Sequence, residues 1–207
     1  MYFEDRLDAA QQLTDRLSRY HGQRPLVLAI PRGGVPMGRL IADALEGELD
    51  VVLVRKLRSP FNPEFGIGAI DESGIYQLSE DAPYAGGTPE HIEREKAIQL
   101  AQIRERRAKW SKLRPPVDPA GRIVIVVDDG LATGVTMAAA LHFLRQRKPQ
   151  RLICAVPVAS AMGLAMVKPL ADEVVVLAVP EPFNAVSLFY RSFSQVDDAE
   201  VVQLLAA

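Results

Sequence analysis

VIVVDDGLATGVT, residues 124–136, is the stretch on which the reading of this chain turns. With Ile123 it opens on five apolar residues, the pattern of a strand buried on both faces of a parallel sheet. Asp128 and Asp129 stand at the carboxyl end of that strand, the edge where open α/β sheets bind ligands. Gly130 and Leu131 lead into a polar turn of Ala132, Thr133, Gly134, Val135 and Thr136 that opens a helix expected over 135–147. Such a turn exposes successive backbone N–H groups, adds two hydroxyls and aims the positive end of a helix dipole at one spot. That combination suits a phosphate. Twin acids just ahead of it suit the two hydroxyls of a sugar that carries the phosphate. Paired aspartates are also common as turn and capping residues. Their place between a buried strand and a Thr-Gly-x-Thr turn favours the ligand reading.

Apolar runs on either side repeat the pattern. LVLAI (26–30) enters PRGG (31–34) and a helical stretch over 35–45, and DVVLV (50–54) then ends abruptly in Arg55 and Lys56. Strand, helix and strand in about thirty residues make a βαβ unit. On the far side, RLICAVPV (151–158), a short helix over 161–170 and EVVVLAV (173–179) continue the alternation. No hairpin signal separates these strands, so right-handed crossovers are expected. The fold class is α/β, a parallel sheet of about five strands flanked by helices. Phe3, Leu7, Ala10, Leu13 and Leu17 add a helix over 3–20.

The stretch 57–88 breaks the rhythm. Pro60, Asn62, Pro63 and several glycines surround two extended pieces, 65–70 and 75–78, which read as a β-hairpin on a long excursion. An excursion of that length is usually functional or mobile. Thr88 and Pro89 then start a charged helix over 90–113. Four acidic and eight basic residues between Glu90 and Arg114 make it a solvated face, or a basic surface near a phosphorylated ligand. Beyond Pro180 the chain turns irregular and aromatic. A single domain over 1–207 is expected, with a core over 24–180, a lid over 57–88 and a small hood over 181–207.

Composition narrows the function classes. Twenty-four Lys and Arg balance 26 Asp and Glu, so the molecule has no basic field for nucleic acid. No apolar stretch approaches the roughly 20 residues of a membrane helix. The acidic start MYFEDRLDAA does not resemble a signal peptide. A soluble, cytoplasmic chain is expected, free to form a homo-oligomer. The one cysteine, Cys154, excludes a disulfide framework, and its apolar setting reads as an inert buried thiol.

The window 124–136 resembles the phosphoribosyl-pyrophosphate (PRPP) motif of type I phosphoribosyltransferases: apolar strand, two acids, a few small or apolar residues, Thr-Gly-x-Thr. PRGG is similar to that family's pyrophosphate loop, which often holds a cis peptide, with the Arg32–Gly33 bond as the candidate. Arg55-Lys56 is similar to a basic pair that several members use against pyrophosphate. The excursion after Lys56 sits where the family's catalytic lid belongs.

The resemblance implies that Asp128 and Asp129 hold the ribose hydroxyls and act in catalysis with Lys56. Ala132, Thr133, Gly134, Val135 and Thr136 would hold the 5′-phosphate, with Gly130 and Leu131 in the same ribose-phosphate loop, and Arg32, Gly33, Gly34, Arg55 and Lys56 the pyrophosphate. Magnesium would be held mainly by substrate and water, near Asp128 and Asp129. The reaction would pass the phosphoribosyl group of PRPP to a nitrogen acceptor of nucleobase type. Ala132 stands where hypoxanthine-guanine enzymes carry an acid, which argues against that specificity. Glu64 and Phe183 are candidate acceptor contacts, with Phe189 and Tyr190 beside Phe183 in the hood; each equally suits a solvent-facing acid or aromatics plugging the core edge. Gly130 replaces a usual apolar residue, so a more flexible loop is expected. The alternative is a PRPP-binding regulatory or sensor protein without transfer activity.

Overall fold

The computed structural model describes residues 3–63, 65–110 and 116–207. In chain order its helices and strands are α1 (Arg6–Leu17), β1 (Leu26–Ala29), α2 (Gly34–Ala44), β2 (Glu48–Val51), β3 (Val54–Arg58), β4 (Gly66–Asp71), β5 (Tyr76–Leu78), α3 (Pro89–Trp110), β6 (Ile123–Val127), α4 (Val135–Gln146), β7 (Arg151–Val158), α5 (Ala161–Val167), β8 (Glu173–Ala178) and α6 (Asp198–Ala206). The chain forms two compact units, Met1–Val52 with Leu113–Ala207, and Leu53–Lys112.

The first unit is the expected α/β fold. Its five strands lie parallel in the order β2-β1-β6-β7-β8. The apolar runs are buried throughout β1 and β6, which explains their lack of alternation. Strand order reverses between β1 and β6. Right-handed crossovers therefore put α2 on one face and α4 and α5 on the other. The loops after β1 and β6 part at that reversal, which opens a crevice at the carboxyl edge of the sheet.

Two of the boundaries that differ from the sequence reading have a visible cause. Helix α1 starts at Arg6, because Asp5 caps it by accepting from the N–H groups of Leu7 and Asp8 at 2.9 Å each. Phe3, apolar enough to extend the helical pattern, instead bridges to Tyr190. The second parallel strand ends at Val51 rather than at Val54, since its pairing with β1 stops there.

Cys154 lies fully buried in β7. Burial pushes its thiol up to about 12, and the charge of Asp128 acts in the same direction. At pH 8 about one molecule in ten thousand carries the thiolate. A disulfide reagent at that pH is expected to leave the native protein unlabelled over an hour. In denaturant it should titrate a single thiol; rapid native labelling would contradict the burial.

The second unit pairs β3, β4 and β5 antiparallel, with an irregularity between Leu57 and Arg58. The hairpin pieces appear as expected, and Asp71 closes their turn by accepting from the N–H groups of Ser73 and Ile75. The sequence reading missed a third strand, β3. Helix α3 packs on it: Glu95 accepts from the Arg58 N–H at 3.2 Å, and the His91 ring bonds the Arg58 carbonyl at 2.7 Å. Arg107 grips Glu72 through two hydrogen bonds of 2.8 and 2.7 Å. The excursion is thus a small folded sheet with its own helix, longer than 57–88.

Candidate active site

Because β1 and β6 are hydrogen-bonded neighbours in register, Ala29 opposite Val127, the two loops that follow leave the sheet side by side. The Ile30 N–H continues the ladder to the Val127 carbonyl at 2.9 Å. PRGG and Asp128-Asp129 are thereby brought together. A Cβ built on Gly33 would lie 2.0 Å from Oδ2 of Asp129, and one on Gly34 would lie 2.7 Å from the Val127 carbonyl oxygen. Only residues without side chains allow this approach.

The cis peptide bond is Pro31–Arg32, one bond before the expected Arg32–Gly33. The Gly34 N–H is spent on the Ile30 carbonyl at 3.1 Å, so Gly34 serves packing and the start of α2. The N–H groups of Arg32 and Gly33 have no acceptor among the described residues. The Arg32 guanidinium, about a third exposed, stands 3.6 Å from Asp198 of α6.

The twin acids are held unequally. Oδ1 of Asp128 accepts the Asp129 N–H at 2.9 Å. Oδ2 of Asp129 accepts from Nε of Arg6 at 3.0 Å and lies 2.9 Å from a second guanidinium nitrogen. The Asp129 carbonyl accepts the Tyr190 hydroxyl at 2.6 Å. One oxygen on each acid, Oδ2 of Asp128 and Oδ1 of Asp129, has no hydrogen-bond partner among the described residues. Neither is sealed from solvent, since no buried side-chain oxygen or nitrogen there lacks a partner. Burial raises Asp128 well above the usual carboxylate range, and the charge of Asp129 adds to the rise. Burial raises Asp129 as well, against the pull of Arg6.

The turn beyond the acids is open. Ala132, Thr133, Val135 and Thr136 are exposed, and no described carbonyl accepts from the N–H groups of Ala132, Thr133, Gly134 or Thr136. Gly134 has φ +79°, and a Cβ there would meet the Gly163 carbonyl at 2.8 Å, so this position needs glycine twice over. The Ser160 hydroxyl bonds the Ala132 carbonyl and also caps α5, tying the turn to that helix.

The expected flexibility at Gly130 is not what its setting favours. A Cβ there would lie 2.7 Å from the Val186 side chain, and Leu131 next to it is buried and laddered to Val158 and Ser160. The residue is small because the hood lies against it.

Arg55 and Lys56 do not end a parallel strand; they lie inside β3 of the second unit. Consecutive strand residues face opposite sides of a sheet. Arg55 donates to Gln99 of α3 at 2.6 Å, and burial with two nearby arginines lowers its pKa. Lys56 is exposed. Glu64 lies outside the described residues. In the hood, Phe183 and Phe189 stack on one another with centroids 5.1 Å apart, half-buried. Tyr190 is a core residue against Phe3, as the plugging alternative had it, and burial holds its hydroxyl protonated as a donor.

Arg6 was not legible as a site residue. It sits in an ordinary amphipathic helix 123 positions from its partner, and no spacing rule reaches that far.

A family model described as the phosphoribosyl transferase domain matches residues 4–186. Two curated Mycobacterium tuberculosis proteins, MT0597 and Rv0571c, provisionally named as phosphoribosyl transferases, are each 40% identical over 98% of the chain. The chain spans about half the length of these relatives, 46% in each case. The crystal structure of TT1426 from Thermus thermophilus is similar throughout, with a TM-score of 0.88 and 42% identity over 99% of this chain and 98% of that one. A Neisseria gonorrhoeae protein solved with bound ppGpp shares the fold at a TM-score of 0.55, with 16% identity over 100% of this chain and 94% of its own. Parallel sheet, acid pair and matched family model agree: the chain belongs to the phosphoribosyl transferase family.

Proposed function

We propose that this protein binds PRPP with magnesium and transfers the phosphoribosyl group to a nitrogen acceptor of nucleobase type, releasing pyrophosphate. The observation that carries this reading is the pairing of two unspent carboxylate oxygens with a row of open N–H groups at one sheet edge. The diol of the ribose donates to Oδ2 of Asp128 and Oδ1 of Asp129. The N–H groups from Ala132 to Thr136 and the hydroxyls of Thr133 and Thr136 bind the 5′-phosphate. Arg32 and the N–H groups of Arg32 and Gly33 face the pyrophosphate.

In the transfer the C1–oxygen bond to pyrophosphate breaks, pyrophosphate keeps the electron pair, and the acceptor nitrogen bonds to C1 and loses its proton. Donors fixed where charge develops lower that barrier without reorganising. The hard carboxylate oxygens of Asp128 and Asp129 suit magnesium through its waters. Magnesium neutralises the leaving charge when bound. A lid over 57–88 would keep water from PRPP.

A sensor that binds PRPP without transfer is the second reading. It is favoured by the placement of Arg55, whose Nε donates to Gln99 of α3 rather than standing free for pyrophosphate. Pyrophosphate release from PRPP, followed across a panel of nucleobases, separates the two. The enzyme is expected to release pyrophosphate with at least one base. Binding of PRPP without release by any base would leave the sensor.

A further inference from the structure

Arg6 belongs to the first turn of α1 and is set there by the Asp5 cap. Its side chain is 11% exposed and fully employed. Nε and one terminal nitrogen reach Oδ2 of Asp129, and the other terminal nitrogen donates to the Ser194 carbonyl at 2.7 Å. The plane of the guanidinium covers the Phe193 ring, 3.8 Å from its centroid. Ring and carbonyl orient the fork, and the fork orients the acid. The Tyr190 hydroxyl restrains the same residue at its carbonyl. Among the described residues Asp128 has no comparable brace; its carboxylate accepts from its neighbour's N–H alone.

We propose that Arg6 is a positioning residue for sugar recognition: by holding Oδ2 of Asp129 it presents Oδ1 alone to one ribose hydroxyl. This rests on the reading of Asp128 and Asp129 as the diol site. Arg6 reaches the sugar through Asp129 alone, so the phosphate end of the ligand is insensitive to it.

The test is calorimetric titration of the full chain with three probes: ribose 5-phosphate, 2-deoxyribose 5-phosphate and inorganic phosphate. The wild type is expected to favour ribose 5-phosphate over its deoxy analogue. Arg6→Gln should reduce that preference about tenfold while inorganic phosphate binds as before. Arg6→Lys, which keeps the charge but cannot make all the contacts, should fall between. Adding Arg6→Gln to Asp129→Asn should cost no further ribose preference.

Wild-type preference retained in Arg6→Gln would overturn the inference and leave the diol site standing. Equal weakening of all three probes would also overturn it, as a merely structural role. A wild type that binds the phosphate probes with no ribose preference would sink the diol reading itself, and the role of Arg6 with it. Should Arg6→Gln not fold, Arg6→Lys decides: unchanged preference there overturns the proposal.

Discussion

Substituting both acids, Asp128→Asn with Asp129→Asn, is expected to abolish the rise in melting temperature that the proposed function predicts for the wild type with PRPP and magnesium. An amide oxygen accepts more weakly than a carboxylate and does not attract the cation. The loss of two charge-assisted hydrogen bonds amounts to at least a hundredfold in affinity. The single variants separate binding from stability. Burial raises the Asp128 carboxyl in the folded state, so between the unfolded and folded pKa values the native protein holds more protons than the unfolded chain. Stability from this group is greatest below the unfolded carboxyl pKa and falls as pH rises through that window. At pH 7 the ligand-free protein bears the cost, and Asp128→Asn relieves it. That variant should therefore melt higher than the wild type at pH 7, with the gap closing towards pH 4. Asp129→Asn should change the melting temperature less than Asp128→Asn does, because relief of a carboxylate that burial raises is set against the loss of the Arg6 counterion. Scanning calorimetry across pH, with and without PRPP, reads all three results. A double variant that keeps the full ligand shift would remove the acids from the site.

Gly33→Ala is expected to do nearly as much damage with one methyl group. Its Cβ would fall 2.0 Å from Oδ2 of Asp129 and 3.3 Å from Nε of Arg6, so the ion pair cannot survive unchanged. Either the carboxylate is displaced or the loop between β1 and α2 moves. Overpacking of this kind costs about 1–3 kcal/mol of stability. PRPP affinity should drop about a hundredfold, since both the acid and the neighbouring N–H groups shift together. Gly121→Ala is the control: φ is +68° there and nothing lies within 4 Å of the added atom. That change should cost about 1 kcal/mol of backbone strain and leave PRPP binding intact. Equal affinity in the Gly33 and Gly121 variants would mean that the PRGG loop and Asp129 are not one site.

The parts legible in the sequence share a physical cause. Residues 26–30, 123–127 and 152–158 are continuous apolar runs because both faces of their strands are covered, and burial on both faces suppresses the polar alternation of a half-exposed strand. The acid pair and the Thr-Gly-x-Thr turn are local, so thirteen consecutive residues hold most of the proposed sugar-phosphate contacts. Arg55 and Lys56 misled for the opposite reason. DVVLV has the composition of a buried strand, yet Val54 already belongs to an antiparallel sheet, a change of partner that composition does not mark. Gly130 misled too, since an unhindered loop and a tight contact with Val186 use the same residue.

By itself the amino-acid order determined an α/β sheet and the place of its acidic and phosphate-type turns, because hydrophobic period and turn chemistry act over a few neighbouring residues. Tertiary structure alone decided which partners those residues meet. Arg6 reaches Asp129, Tyr190 restrains its carbonyl, and PRGG comes to lie beside the acids, since the pairing of β1 with β6 joins segments nearly a hundred residues apart. Those contacts depend on packing between distant elements, and no local pattern of residues encodes such a distance.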